Sequence, residues 1–225
     1  MNFFKLKLKN KEIKYEDVAV LDFIVMDKNK LDFKPGQYMN LSSPKNNSGR
    51  AYTIISKSEK KVIRFAIRKK GQFSTFLYGL KVNTIINADG PYGNFCPDIQ
   101  NKKIICIANG IGITPFINWI NSSDFKDKEF HFLFSNGKLE RTPFLDKILE
   151  NKKVKINLFI TQQDKLKDNK IIKHRIKKKD IKKVLLDKNN TMIAICGSIG
   201  FVRDMWKISK SIGIKEENIL TESFF

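Results

Sequence analysis

Cysteine and histidine are scarce in this chain of 225 residues, with three of the first and two of the second. Cys96, Cys106 and Cys196 are odd in number, far apart and in no CxxC pair. That excludes a disulfide framework, a zinc ribbon and an iron–sulfur cluster held by the chain's own thiolates. His131 and His174 lack a carboxylate-rich partner motif, which argues against a catalytic metal site. Twelve glycines and six prolines are too few for a collagen-like or low-complexity chain. No apolar run approaches the roughly 20 residues needed to cross a bilayer. Residues Met1 to Lys7 alternate apolar and basic side chains and so lack the apolar stretch of a signal peptide. A soluble, cytoplasmic protein without a membrane partner is expected.

What the chain has in excess is positive charge. Lys and Arg number 43 against 23 Asp and Glu, for a formal charge of +20. Such a field attracts anionic ligands and acidic partners. Lysines outnumber arginines and are spread along the whole chain, whereas base and phosphate readers favour the bidentate fork of Arg. The densest tract, Lys173 to Lys183 (KHRIKKKDIKK), reads equally as a basic patch or as the solvated face of a short helix. Nucleic acid is therefore not the expected partner. Hydrophobic residues at 41% and the length together suit one large domain or two small ones with a sizeable core.

The first ~95 residues carry short β-rich runs broken by turn signals. Val18 to Met26, Gln37 to Ser42, Ala51 to Ser56 and Val62 to Arg68 are the clearest, and Pro35-Gly36, Pro44 to Gly49 and Gly90 to Gly93 punctuate them. A small antiparallel Greek-key barrel is expected, interrupted by a short helix from Ser74, a natural N-cap, to about Leu80. After Pro97 strands and helices alternate, which implies a parallel sheet with helices on both faces. The expected strands are Lys103 to Ala108, Phe130 to Phe134, Val154 to Thr161 and Met192 to Cys196. The expected helices are Pro115 to Ile120, Pro143 to Leu149 with Thr142 as cap, Asp180 to Leu186, and Gly200 to Ile212 closed by Gly213. The domains are placed at 1–98 and 99–225.

One segment of the second half carries chemistry on its own. Ile104 to Pro115 (IICIANGIGITP) reads as strand, tight glycine turn and helix, with Thr114 able to cap and Pro115 at the first helical position. Without Cβ atoms, Gly110 and Gly112 let backbone N–H groups approach an anion such as a dinucleotide pyrophosphate. GxGxxP is not the full GxGxxG fingerprint, and an ordinary strand–helix turn explains it equally well.

The first half adds Phe33 to Tyr38 (FKPGQY), Arg50-Ala51-Tyr52-Thr53, Gly71-Gln72-Phe73-Ser74 and Gly90-Pro91-Tyr92-Gly93. With Cys196-Gly197-Ser198 and the terminal Glu222-Ser223-Phe224-Phe225, the series FxPGQY, RxYT, GxxS, GPYG, GxGxxP, CGS and ExFF resembles the ferredoxin–NADP reductase superfamily of flavin-dependent NAD(P)H oxidoreductases. Each motif is short, but the seven span nearly the whole chain in order.

The resemblance implies an FAD-binding barrel, a nicotinamide-binding α/β domain, and hydride transfer from NAD(P)H to FAD. It implies that Arg50 neutralises the flavin phosphates, that Tyr52 packs on the isoalloxazine beside Ala51, and that Thr53 lies near flavin N5. It also implies flavin contacts from Ile67, Gly71 and Ser74, and a site shaped by Gly90, Tyr92 and Gly93. Gly110, Gly112, Ile113, Thr114 and Pro115 would face the nicotinamide nucleotide, with Cys196 and Gly197 beside the nicotinamide. Serine replaces the family's usual proline after Gly197. Phe224, or Phe225 in its stead, would lie against the flavin face opposite Tyr52, and Glu222 would orient the nicotinamide or relay a proton. The catalytic set is then Thr53, Cys196, Glu222 and Phe224. Ser135 and Arg141, after the second parallel strand, tilt the nucleotide choice toward NADPH.

The electron acceptor implied is a separate molecule, an acidic ferredoxin or flavodoxin suiting the positive field. Alternatives are reduction of free flavin as a substrate, service as the electron-transfer subunit of a larger complex, and a basic nucleic-acid-binding protein that kept the fold.

Overall fold

Two stretches missing from the clearest strands of the sequence, 3–14 and 85–92, are central in the folded chain. The computed structural model describes residues 2–27, 31–44, 46–56, 62–97, 103–163, 166 and 168–224. They fall in two compact units, Met1–Cys96 and Pro97–Phe225. The expected boundary between 98 and 99 lies outside the described residues.

The first unit contains β1 (Phe3–Lys14), β2 (Val18–Val25), β3 (Tyr38–Ser43), β4 (Asn46–Thr53), β5 (Val62–Arg68), α1 (Gln72–Tyr78) and β6 (Ile85–Tyr92). The sheet order is β4-β3-β6-β1-β2-β5, antiparallel throughout. Its two edges meet just beyond β4. Ile54 bridges Phe65, and the Ile55 N–H donates to the Arg64 carbonyl at 2.9 Å, which closes the barrel.

Alternation explains β1. Phe4, Leu6 and Leu8 point inward and are buried, while Lys5 and Lys9 stand in solvent. Leu21, Phe23, Met39, Leu41, Phe65 and Ile67 complete a core of fully buried side chains, each stabilising the barrel by roughly 1.5–3 kcal/mol. On the outside, Arg64 grips Asp22 with two hydrogen bonds across β2 and β5.

The GPYG segment is not a free turn. Gly90, Pro91 and Tyr92 continue β6, and Tyr92 pairs with Tyr38 of β3. Gly90 has φ +135, and a Cβ there would come within 3.3 Å of the Tyr38 carbonyl oxygen, so glycine is what the strand can use. Helix α1 also begins earlier than expected. Gly71 is its N-cap, and Ser74, three residues in, accepts hydrogen bonds from the N–H groups of Lys70 (3.0 Å) and Gly71 (2.9 Å).

The second unit contains β7 (Lys103–Asn109), α2 (Thr114–Asn121), β8 (Glu129–Asn136), α3 (Leu145–Glu150), β9 (Val154–Ile160), α4 (Lys178–Val184), β10 (Thr191–Ser198), α5 (Ile199–Ser211) and β11 (Ile219–Phe224). All its strands are parallel, in the order β11-β10-β7-β8-β9. On one face Phe116 of α2 packs edge-on against Phe132 of β8, their ring centroids 5.8 Å apart. On the other, Val202 and Met205 of α5 and Ile181 of α4 cover Ile105, Ile107, Ile193 and Ile195. Helix α3 starts at Leu145, because buried Phe144 takes φ +59. Thr142 does not cap it. Its hydroxyl donates instead to the Lys138 carbonyl at 2.9 Å. Among the described residues no helix is long and apolar enough to cross a membrane.

Candidate functional site

In the barrel, the candidate residues gather where β4 ends. Arg50 is exposed, and its guanidinium donates to the carbonyl of its own neighbour Gly49 at 2.9 Å. No carboxylate pairs with it among the described residues. Ala51 is exposed beside it. Tyr52 is half-buried, its ring centroid 6.3 Å from that of Phe73 in α1, and Phe73 continues to Phe76 at 5.7 Å. Burial pushes the Tyr52 phenol up to about 12, against a small opposing pull from Arg50. It is a neutral aromatic surface at any physiological pH.

Thr53 is 4% exposed, and its Oγ1 has no hydrogen-bond partner among the described residues. A buried, unanswered hydroxyl costs about 1–3 kcal/mol and calls for a partner. These residues fit a flavin: a cation free for phosphate, a flat neutral ring and a dry hydroxyl within four residues of one strand. Gly71 meets no atom within 4 Å of where its Cβ would stand, so the approach to α1 is open. Ile67 sits in the barrel core with its side chain fully buried, so any ligand contact there runs through its backbone.

Sequence reasoning missed two residues that position this region. Gln37 ties the FKPGQY turn to the GPYG segment: its Oε1 accepts from Lys34 N–H at 2.8 Å and its Nε2 donates to the Gly93 carbonyl at 3.2 Å. Phe73, inside the GxxS motif, backs the Tyr52 ring. The polar glutamine between a Pro-Gly turn and a strand was the available signal for the first. A cavity of about 460 Å³ opens beside Gln37, lined also by Asp32, Phe33, Lys34, Asn94 and Cys96.

In the second unit, the chain leaves β7 for β8 on one side, while β10 and β11 lie on the other. The crevice at the carboxyl ends of β7 and β10 is therefore the switch point where open α/β sheets bind ligands. The glycine turn stands there. Gly110 takes φ +55 at the start of a 3-10 segment, Gly110–Ile113, that leads into α2. Gly112 is held tighter still: a Cβ would lie 2.5 Å from the Cys196 carbonyl oxygen and 2.8 Å from Gly197 Cα. Ile113, Thr114 and Pro115 are buried, and the Thr114 hydroxyl donates to the Ile111 carbonyl at 3.0 Å rather than capping. Asn109, another missed residue, knits the crevice, its Nδ2 donating to the Ser135 carbonyl at 3.3 Å. Ser135 is itself buried, whereas Arg141 is exposed.

Cys196 pairs in register with Glu222, and Ser198 with Phe224. Paired positions on neighbouring strands share a face. Burial, reinforced by the Glu222 charge, pushes the Cys196 thiol well up, so it is a thiol and not a thiolate. Burial likewise raises the Glu222 carboxyl from 4.5 to about 7. A carboxyl at that value holds or releases a proton near neutrality. Phe224, expected against the flavin face opposite Tyr52, is half-buried at the end of β11, and Phe225 lies outside the described residues. Cys106 is buried in β7, its thiol raised by desolvation.

The chain thus folds as an antiparallel barrel followed by a parallel β/α sheet with a switch-point crevice. Residues 5–96 match the oxidoreductase FAD-binding domain family. The chain is 32% identical over 148 residues to the reductase component of propane 2-monooxygenase from Mycolicibacterium smegmatis, covering 62% of this chain and 42% of that protein. It is 31% identical over 137 residues to a probable dihydroorotate dehydrogenase B (NAD(+)) electron transfer subunit from Methanocaldococcus jannaschii, covering 61% and 50%. The chain spans about half the length of the curated relatives it matches. A ferredoxin NADP+ reductase from Neisseria gonorrhoeae, solved with FAD and NADP, shares the fold over the whole of both chains with a TM-score of 0.84 at 17% identity.

Proposed function

We propose that this protein oxidises NAD(P)H at FAD held by the first unit and delivers the electrons to a separate acceptor. The reading is carried by one observation: with no carboxylate for Arg50 and no partner for the buried Thr53 hydroxyl among the described residues, the two flank a neutral aromatic ring within four residues of β4. Bound FAD would supply acceptance of an electron pair from the reduced nicotinamide and its onward release.

The chain's own residues would do the rest. Arg50 would neutralise the cofactor phosphates with its planar fork. Tyr52, kept neutral by burial, would shield one face of the ring from water. The Thr53 hydroxyl would find its missing partner in a flavin heteroatom. Gly110 and Gly112 would turn backbone N–H groups toward the nucleotide pyrophosphate, and Cys196 with Gly197 would form the floor beside the nicotinamide. Glu222, poised near neutrality, would hold a proton or orient the carboxamide. Exposed Lys138 and Arg141 favour NADPH, which kcat/KM with both nucleotides tests. A strong NADH preference would reverse that choice.

The acceptor is proposed to be a small acidic carrier, a ferredoxin or flavodoxin, on the ground of the +20 charge. A second reading is favoured by the relatives, of which one is a reductase component and another an electron transfer subunit: the protein serves a partner enzyme directly. Anaerobic titration with NADPH, then addition of a ferredoxin, separates them. Rapid reoxidation by the carrier supports the first, and co-purification with a partner enzyme that alone accepts electrons supports the second.

A further inference from the structure

The tract between β9 and α5 has a charge that nothing in the proposed chemistry uses. Lys170 to Lys183 contains eight cations, and Asp180 is its only acid. All eight cations are exposed. The segment is nonetheless fixed in place. Ile172 extends the sheet, its N–H donating to the Leu158 carbonyl and its carbonyl accepting from Ile160 N–H, both at 2.9 Å. Ile171, Ile176 and Ile181 are buried, the last two in the cluster with Ile193, Ile195 and Met205. The buried anchors are isoleucines, Lys178 adds a hydrogen bond to the Ser211 carbonyl at 3.2 Å, and the cations between the anchors are exposed.

Asp180 does not neutralise the patch. Its carboxylate accepts the Lys177 N–H at 2.7 Å, closing the first turn of α4, and stands 3.8 Å from His174. Arg175, Lys177, Lys179, Lys182 and Lys183 form no ion pair with a carboxylate among the described residues. Directly after these lysines comes Leu186, 80% exposed, the most exposed large hydrophobic side chain described. Lys188 follows it, its ammonium beside Gly213 at the end of α5.

We infer that this strap is a docking face for an anionic lipid bilayer, with Leu186 as a shallow apolar anchor inside a ring of lysines. Clustered point charges with an exposed leucine suit a mobile anionic headgroup surface. The alternatives fit less well. Protein interfaces are depleted in Lys and built around Trp, Tyr and Arg anchors, and the tract holds one Arg and no Trp, Tyr or Phe, its one ring, His174, packing against Phe159. Single-stranded nucleic acid binders stack bases on such rings. The inference departs from the expectation of a chain with no membrane partner, and it is independent of the flavin reading.

Co-sedimentation of the whole protein with phosphatidylcholine vesicles, with and without phosphatidylglycerol, tests it. Binding is expected only with phosphatidylglycerol and weakens with salt. Lys179→Glu/Lys182→Glu/Lys183→Glu should lower partitioning about tenfold or more. An equal change of net charge on the barrel, Lys5→Glu/Lys9→Glu/Lys81→Glu, should lower it less than about threefold. Leu186→Ser, at unchanged charge, should lower it about fivefold. All these positions are exposed, a urea melt of each variant checks the fold, and a Lys→Gln version of the strap triple stands in for any that fails. Equal losses from the two triples would assign the binding to the protein's overall field and overturn the inference, as would indifference to Leu186→Ser. Duplex DNA bound more tightly than vesicles at the same salt, through the same three lysines, would overturn it in favour of nucleic acid.

Discussion

The two candidate sites are built from opposite materials. In the barrel the chemistry lies in side chains left unsatisfied among the described residues: Arg50 without a carboxylate and Thr53 without a hydrogen-bond partner. In the parallel-sheet unit it lies in backbone, with side chains removed where they would collide, as at Gly112 against Cys196. A site of unsatisfied side chains weakens the empty protein, and losing one such group spares the fold. A site of close-packed backbone is part of the fold, and altering it damages both. Stability and ligand affinity should therefore separate in the first unit and move together in the second.

The strongest expected effect is at Gly112. A Cβ placed 2.5 Å from a carbonyl oxygen forces the glycine turn away from β10, so Gly112→Ala should cost about 3 kcal/mol in urea unfolding and weaken nicotinamide nucleotide binding with it. Gly200→Ala, where nothing lies within 4 Å, is the control and should stabilise α5 by up to about 1 kcal/mol. Next comes Arg50→Ala. It should lower FAD affinity by about tenfold to a hundredfold in a fluorescence titration, yet shift unfolding of the flavin-free protein by no more than about 0.5 kcal/mol. Comparable losses of stability in both variants would erase the distinction between the sites.

Glu222 sharpens the contrast through pH. Its carboxyl titrates at about 7 when folded and at 4.5 ordinarily. Between those values the folded state holds a proton that the unfolded state has lost. Stability therefore falls as pH rises through that window and levels off above it. The fall attributable to this group is on the order of 2 kcal/mol after allowance for its partial exposure, and Glu222→Gln should abolish it. Smallest is Thr53→Val. Replacing an unanswered hydroxyl by a methyl group should stabilise the flavin-free protein by about 1 kcal/mol while weakening FAD binding a few-fold. A destabilised Thr53→Val protein would mean that the hydroxyl is already satisfied.

Much of this was legible in the sequence because periodicity and motif order report directly on burial and turns. The β–α alternation after Pro97 and the strand Val62–Arg68 stand as read. Where side-chain character and strand geometry conflict, the reading slipped. In β1 a lysine at every second residue, Lys5, Lys7 and Lys9, masked the strand, although that alternation is itself the signal. Gly90-Pro91 looked like a turn because both residues break regular structure, yet here they continue β6 at its bulged pairing with β3. Caps were misassigned at Ser74 and Thr142 because a hydroxyl near a helix start has several backbone groups within reach. The role of Asn109 was invisible and that of Gln37 was signalled only by its polar side chain after a Pro-Gly turn, since each spans segments far apart in sequence.

The most direct test of the flavin reading is an absorption spectrum of the purified protein reconstituted with FAD, recorded before and after anaerobic addition of NADPH, for wild type and Arg50→Ala together. The account predicts a retained yellow cofactor that bleaches in the wild type, and a variant of unchanged fold that releases it on dialysis. A wild-type protein that takes up no FAD, or a variant that retains it equally well, would contradict the account.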